Sequence, residues 1–213
     1  MMEPRNQVVR VSRFGGPDGL EVVDAPLPTA GRGEVRVRVL ASSLNYTEVL
    51  IRRHLYPQTM RLRPPFVMGY DVVGEIDQIG DGVRDFQIGD RVADMTVVGS
   101  NAEYRTLRAG DVARVPAGVD AAEAATLILS WTTAYQLLHR AARVQRGQCA
   151  LVQGAAGAVS GACLRGTVRA LSGHRARAHV MKGGLRAAVS CDARRIVARP
   201  PGNGLEWHEA AIP

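Results

Sequence analysis

Val8, Val9 and Val11, then Leu20, Val22 and Val23, form two short β-type runs separated by Phe14-Gly-Gly-Pro-Asp-Gly19, and that turn chemistry predicts a hairpin. Pro26-Leu-Pro28 and Gly31-Arg-Gly33 read as a loop. Val35, Val37, Val39 and Ala41 then alternate with Arg36, Arg38 and Leu40, the period of a strand with one buried face. Thr47 to Arg53 has room for one or two helical turns, ended at Tyr56-Pro57 because proline disfavours helix at the residue before it. From Phe66 the apolar positions Val72, Val73 and Ile76 are punctuated by Gly69 and Gly74. Ile79-Gly-Asp-Gly82, Ile88-Gly-Asp-Arg-Val92, Tyr104 to Leu107 and Val112 to Val115 follow. Short strands joined by glycine–aspartate turns, all before any long helix, predict a small β-barrel.

At Pro116 the pattern changes. Asp120-Ala-Ala-Glu123 has the residues of a capping box, and the run beyond it predicts a buried helix reaching Leu138. Gln148 to Val159 reads as a buried strand, Cys149 to Val152, entering the glycine turn Gly154-Ala-Ala-Gly157 and then a helix. Such a helix start has unpaired N–H groups and a positive dipole end, which suit the pyrophosphate of a dinucleotide. The glycine spacing by itself equally suits any short turn joining a strand to a helix. Beyond it the sequence predicts a helix from Val159 to Leu171, a strand around Arg177 to Val180, a helix from Leu185 to Ser190 and a strand at Arg195 to Ala198. That order is one βαβαβ half of a parallel sheet.

The formal charge of +7 invites a nucleic-acid reading, and its distribution argues against one. Residues 1–159 carry 18 basic and 17 acidic side chains, whereas residues 160–213 carry 9 and 3. The basic tail has no interleaved aromatic residues to stack bases, Trp207 standing alone near the end. Only Lys182 among the 27 basic residues is lysine, a bias that fits a GC-rich coding sequence. Ala121 to Leu138, the longest apolar stretch, includes Glu123, Ser130, Gln136 and three threonines, so no membrane span is expected. Cys149, Cys163 and Cys191 follow no metal or redox spacing and read as small apolar residues in a reducing compartment, the cytoplasm by default.

Ser43-Leu-Asn-Tyr-Thr-Glu-Val-Leu-Ile-Arg-Arg-His-Leu-Tyr-Pro57, Gly69-Tyr-Asp-Val-Val-Gly-Glu75, Ile88-Gly-Asp-Arg-Val92 and Gly154-Ala-Ala-Gly157, in this order, resemble the zinc-independent medium-chain dehydrogenase/reductases. Quinone oxidoreductases and the enoyl reductases of polyketide synthases are the nearest members in pattern, and the resemblance runs from about Val8 to Val159. It implies an α/β plus β chain: a GroES-like β-barrel catalytic domain over residues 1–124, then a partial Rossmann domain, a doubly wound parallel sheet, over 125–213. It also implies hydride transfer from NADPH to a quinone or an activated carbon–carbon double bond such as that of an enone. A small-molecule substrate is expected, with no nucleic-acid or membrane partner, and a homodimer is compatible with it.

The zinc-dependent branch of these enzymes has a cysteine where this chain has Asn45 and a histidine where it has Tyr70, so no metal is expected. By the resemblance, Asn45 lies at the nicotinamide and substrate as a hydrogen-bonding amide. Tyr56 points its hydroxyl at the substrate as the acid, against the plainer reading of an aromatic packed beside Pro57. Tyr46 is a second tyrosine of more structural character. Thr132 corresponds to a threonine at the nicotinamide end, although a helix threonine bonding back to its own turn gives the same sequence. Gly154, Ala155, Ala156, Gly157, Ala158 and Val159 are the cofactor-binding turn, and Lys182 overlays a basic contact to the adenosine phosphate, where solvated charge is the alternative.

The family pattern continues Gly-Ala-Ala-Gly with Gly-Val-Gly, whereas this chain has Ala158-Val159-Ser160, and a side chain at position 160 is expected to crowd the pyrophosphate. Family members also extend about a hundred residues further to complete the sheet. Truncation, a frame change near Ser160 or a degenerate protein all fit, and the alternative function is a non-catalytic remnant or interaction subunit that keeps the GroES-like fold.

Overall fold

The expected hairpin is present. Strands β1 (Arg5–Val11) and β2 (Leu20–Pro26) pair antiparallel from Arg5 opposite Pro26 to Val11 opposite Leu20. The structure, a computed structural model, describes residues 5–145, 150–153, 157–163, 176–181, 186–191 and 207–210. It divides into two units, Met1–Ile128 and Leu129–Pro213.

In the first unit the alternating valines make β3 (Glu34–Ala41), which lies between two other antiparallel strands. After helix α1 (Tyr46–Arg52) and the short β4 (Phe66–Val67) come β5 (Val72–Ile79), β6 (Arg91–Asp94), β7 (Tyr104–Arg108) and β8 (Ala113–Arg114). The larger sheet has the order β7-β3-β5-β6-β8, and β2-β1-β4 forms a second. Val35, Val37, Val72, Ile76, Val92 and Leu107 are buried together as its core, each side chain worth roughly 1.5–3 kcal/mol of transfer free energy. The two sheets meet at β1 and β7. The buried Asn6 amide donates to Tyr104 O at 3.0 Å and accepts from Tyr104 N–H at 2.9 Å, while Val9 N–H donates to Asn101 O at 2.8 Å. A buried amide satisfied on both sides joins the edges where no ladder continues.

Helix α2 (Ala121–Tyr135) starts where expected, with Asp120 Oδ1 accepting from Ala122 N–H at 2.9 Å and Glu123 N–H at 3.0 Å. It continues as a π-helical stretch, Gln136–Ala141. The expectation of a buried helix holds for one face only. Ala124, Ala125, Ser130, Ala134 and Leu138 are buried, whereas Leu127, Tyr135 and Leu137 are exposed.

In the second unit β9 (Ala150–Gln153) leads to a helix over 158–163 (α3), giving the strand and helix of the expected dinucleotide-binding start. Ala134, Leu138, Ala162 and Cys163 are buried together against Trp131, Val152 and Val159. Burial pushes the Cys163 thiol above its ordinary range, in keeping with a packing role. The parallel order expected after β9 is replaced, among the described strands, by antiparallel pairing. β10 (Ala176–Met181), β11 (Arg186–Cys191) and β12 (Trp207–Ala210) give the order β12-β10-β11-β9. β10 and β11 are only four residues apart, which permits a hairpin but not the crossover of a dozen or more residues that a parallel pair needs. The helix expected over Leu185 to Ser190 is accordingly strand β11: six residues are too few for a self-sustaining helix, and ladders on both edges satisfy their backbone. The expected strand at Arg195 to Ala198 lies outside the described residues. No helix among the described residues is long and apolar enough to cross a membrane.

Candidate active site

Two neighbouring residues, Tyr70 and Asp71, hold the polar groups that the sequence singled out. The chain reaches them through Gly69, whose φ of +109° suits glycine. Tyr70 O then accepts Thr96 N–H at 2.8 Å and Val97 N–H at 3.0 Å. Val97 adopts φ +69°, a conformation that a β-branched residue keeps only when its surroundings hold it there. Tyr70 is 4% exposed and Asp71 0%.

Asp71 Oδ1 accepts Ser43 N–H at 2.7 Å, and Oδ2 accepts both the Ser43 hydroxyl and Asn45 Nδ2, the latter at 3.0 Å. Asn45 Nδ2 also donates to Ser43 Oγ at 2.8 Å. A carboxylate can only accept, so the amide of Asn45 must turn its NH2 toward Asp71. Its donors are committed inside the protein, so any further hydrogen bond of this amide is accepted at Oδ1.

Asn45 also begins α1. Its N–H donates to Glu48 Oε2 at 2.8 Å while Glu48 N–H donates to Asn45 O at 3.0 Å. Glu48 is buried, and its other carboxylate oxygen has no hydrogen-bond partner among the described residues. Burial pushes its carboxyl above the ordinary range and the Asp71 charge adds to this, against the pull of the Asn45 N–H and the Asn101 amide. A carboxyl raised in the folded state binds its proton more tightly there than in the unfolded chain. Its contribution to stability is therefore present in acid and lost as pH rises from the unfolded value, about 4.3, through the raised folded one. Urea midpoints followed by circular dichroism across that window are expected to show this decline in the wild type and a flatter profile in Glu48→Gln.

Tyr56 precedes the 3-10 turn Pro57–Thr59, where its carbonyl accepts Thr59 N–H at 3.0 Å and the Thr59 hydroxyl at 3.1 Å. Its hydroxyl lies 2.9 Å from that of Tyr70 and 3.4 Å from Gln58 Oε1. The two tyrosine rings meet edge to face, with centroids 6.1 Å apart at 74°. Burial, then the bond to Tyr56, pushes the Tyr70 hydroxyl far above the ordinary phenol range. Tyr56 is thus neither simply packed beside proline nor isolated.

Tyr46 is exposed at the start of α1. Thr132 is exposed on α2, and the bond back to the preceding turn is made by its neighbour, Thr133 Oγ1 donating to Leu129 O at 2.7 Å. Gly157 and Ala158 are exposed and Val159 half-buried at the start of α3, whose first bond runs from Gly161 N–H to Gly157 O at 2.8 Å. Gly154, Ala155, Ala156 and Lys182 lie outside the described residues. Sequence reasoning passed over Ser43 and Asp71 and took Tyr70 only as a lost zinc ligand. The available signal was an aspartate set in an otherwise apolar run, Tyr70 to Val73.

Residues 31–117 match the model of the alcohol dehydrogenase GroES-like domain. Quinone oxidoreductase of Lama guanicoe is 35% identical over 155 residues, 72% of this chain and 46% of that protein, so the chain spans about half the length of the curated relatives it matches. The quinone oxidoreductase of Thermus thermophilus, solved free and with NADPH, is 35% identical over 78% of this chain and 50% of its own, with a TM-score of 0.64. The CurK enoyl reductase is 25% identical over 79% and 52%, with a TM-score of 0.70.

Proposed function

For a chain that carries the GroES-like domain of the medium-chain dehydrogenase/reductases, we propose NADPH-dependent, zinc-independent reduction of a quinone or an activated carbon–carbon double bond. The observation that carries this reading is the pairing of Tyr70 with Tyr56 and of Asp71 with Asn45, which fixes one hydroxyl and one amide in the barrel unit. The residues described at the nucleotide end fit the cofactor in part, since Ser160 still stands where a side chain is expected to crowd the pyrophosphate. α3 begins directly after Gly157, and the exposed Gly157 and Ala158 put no bulky side chain at its start, as a pyrophosphate requires.

NADPH, when bound, supplies a hydride. The reduced substrate then carries negative charge on its carbonyl oxygen or the carbon beside it, and Tyr56 Oη gives that atom a proton. Asn45, its NH2 turned to Asp71, accepts a hydrogen bond from the cofactor or substrate and so orients it. Leu44, Tyr46, Leu55 and Met60, close in sequence to Asn45 and Tyr56, are 87%, 73%, 61% and 48% exposed. Apolar surface of that kind favours a flat, apolar substrate over a small alcohol.

NADPH oxidation measured with a quinone and with an enone tests the reading. Tyr56→Phe is expected to lower kcat about a hundredfold, with the Kd for NADPH little changed, because the proton is transferred only in the transition state. Unchanged turnover would return Tyr56 to packing, and no NADPH binding by the wild type would favour the interaction-subunit alternative.

A further inference from the structure

We propose that Tyr70 is a positioning residue for Tyr56, donating a hydrogen bond to the Tyr56 oxygen so that this oxygen is aimed and, once its proton has gone to the substrate, stabilised. The inference rests on the oxidoreductase reading above and adds a residue to it. Nothing in the spacing of the motifs suggested it.

The direction of the bond follows from the partners. At 2.9 Å either hydroxyl could donate. Tyr56 has a second acceptor in reach, Gln58 Oε1 at 3.4 Å, whereas Tyr70 is buried and its hydroxyl has one hydrogen-bond partner among the described residues, Tyr56. A buried hydroxyl proton without an acceptor is costly, so the Tyr70 proton goes to Tyr56 Oη, leaving the Tyr56 proton to the exposed Gln58 Oε1 until a substrate takes that acceptor's place. The raised value of Tyr70 agrees, since it keeps its proton while Tyr56 reacts.

Tyr70 is also the fixed member of the pair. Its carbonyl takes the N–H groups of Thr96 and Val97, and the residue before it, Gly69, lies against the Ser100–Asn101 backbone. In the reaction the Tyr56 O–H bond breaks, its proton forms the new C–H or O–H bond of the substrate, and its electron pair stays on Tyr56 Oη. There the Tyr70 hydroxyl donates to it until the half-buried Tyr56 recovers a proton from water. A fixed donor aimed at an oxygen that becomes charged costs no reorganisation when the charge appears.

The test is a double-mutant cycle of Tyr56→Phe and Tyr70→Phe, read in two ways. Phenylalanine keeps each ring and its edge-to-face packing, and thermal melting of all four proteins reports both folding and any coupling of the two hydroxyls. In NADPH-dependent turnover, Tyr70→Phe is expected to lower kcat about tenfold with an unchanged NADPH KM, and to have no further effect once Tyr56 is phenylalanine. An equal loss with and without the Tyr56 hydroxyl, or no loss, overturns the role. Uncoupled melting overturns the bond itself. A wild type that turns over neither quinone nor enone sinks the oxidoreductase reading and this role with it, while coupled melting would then leave the pair as a structural contact alone.

Discussion

Asp71→Ala is expected to cost the first unit about 3–5 kcal/mol, because it removes the acceptor for three donors at once. Asp71 is 0% exposed and accepts the Ser43 N–H, the Ser43 hydroxyl and the Asn45 NH2. Left without it, these groups on the half-buried Ser43 and Asn45 lose the acceptor they share, and each one that stays unsatisfied costs about 1–3 kcal/mol. Relief of the buried carboxylate's own desolvation offsets part of the sum. Asp71→Asn keeps one acceptor oxygen but turns an NH2 toward donors, so it should fall between wild type and alanine. Both tryptophans, Trp131 and Trp207, belong to the second unit, so urea unfolding must be followed by far-UV circular dichroism instead of tryptophan fluorescence. A cost for Asp71→Ala below about 1 kcal/mol would show that the carboxylate is not the acceptor these groups depend on. In any variant that still folds, Asn45 loses the partner that sets its amide, and NADPH affinity is the property to watch.

What could be read from the sequence was local, and what could not was pairing at a distance. Phe14 to Gly19 carries its turn chemistry within six residues, and the Val35–Val37 alternation is a strand's own period; both elements formed as expected. Asp120 likewise capped the helix it precedes. The bonds from Asp71 to Asn45 and Ser43 span 26 and 28 residues, and those joining Asn6 to Tyr104 span 98. No spacing rule reaches so far. Asn45 and Tyr56 came instead from the resemblance, which names residues without saying what holds them. The failure at Leu185 to Ser190 has another cause. Arg186-Ala-Ala-Val-Ser-Cys191 is too short for periodicity to separate helix from strand, and its place in an ordered series of elements tipped the reading toward a parallel fold that the described strands do not make.

The same distant contacts make Gly69 the least replaceable position near the site, and Gly69→Ala is expected to destabilise the first unit by about 4 kcal/mol or more. A Cβ at this position would stand 2.3 Å from Asn101 N and 2.7 Å from Ser100 N. Those neighbours are backbone, so no rotamer change can make room. The φ of +109° adds a conformational cost of about 1–3 kcal/mol for any L side chain. To accept the methyl group the 100–101 segment must move away, yet Asn101 N–H donates to Met68 O at 2.8 Å and Asn101 O accepts from Val9 N–H, also at 2.8 Å. Moving it would pull on the junction of the two sheets and on the segment that carries Tyr70. Gly33→Ala is the control, because Gly33 also has a positive φ, +76°, but open space around its missing side chain. It should show the conformational cost alone, about 1–2 kcal/mol. The difference between the two variants in urea unfolding by circular dichroism therefore measures the close approach itself. Equal losses would mean that the 100–101 backbone yields without cost, and that Tyr70 is held less firmly than its role as the fixed partner of Tyr56 requires.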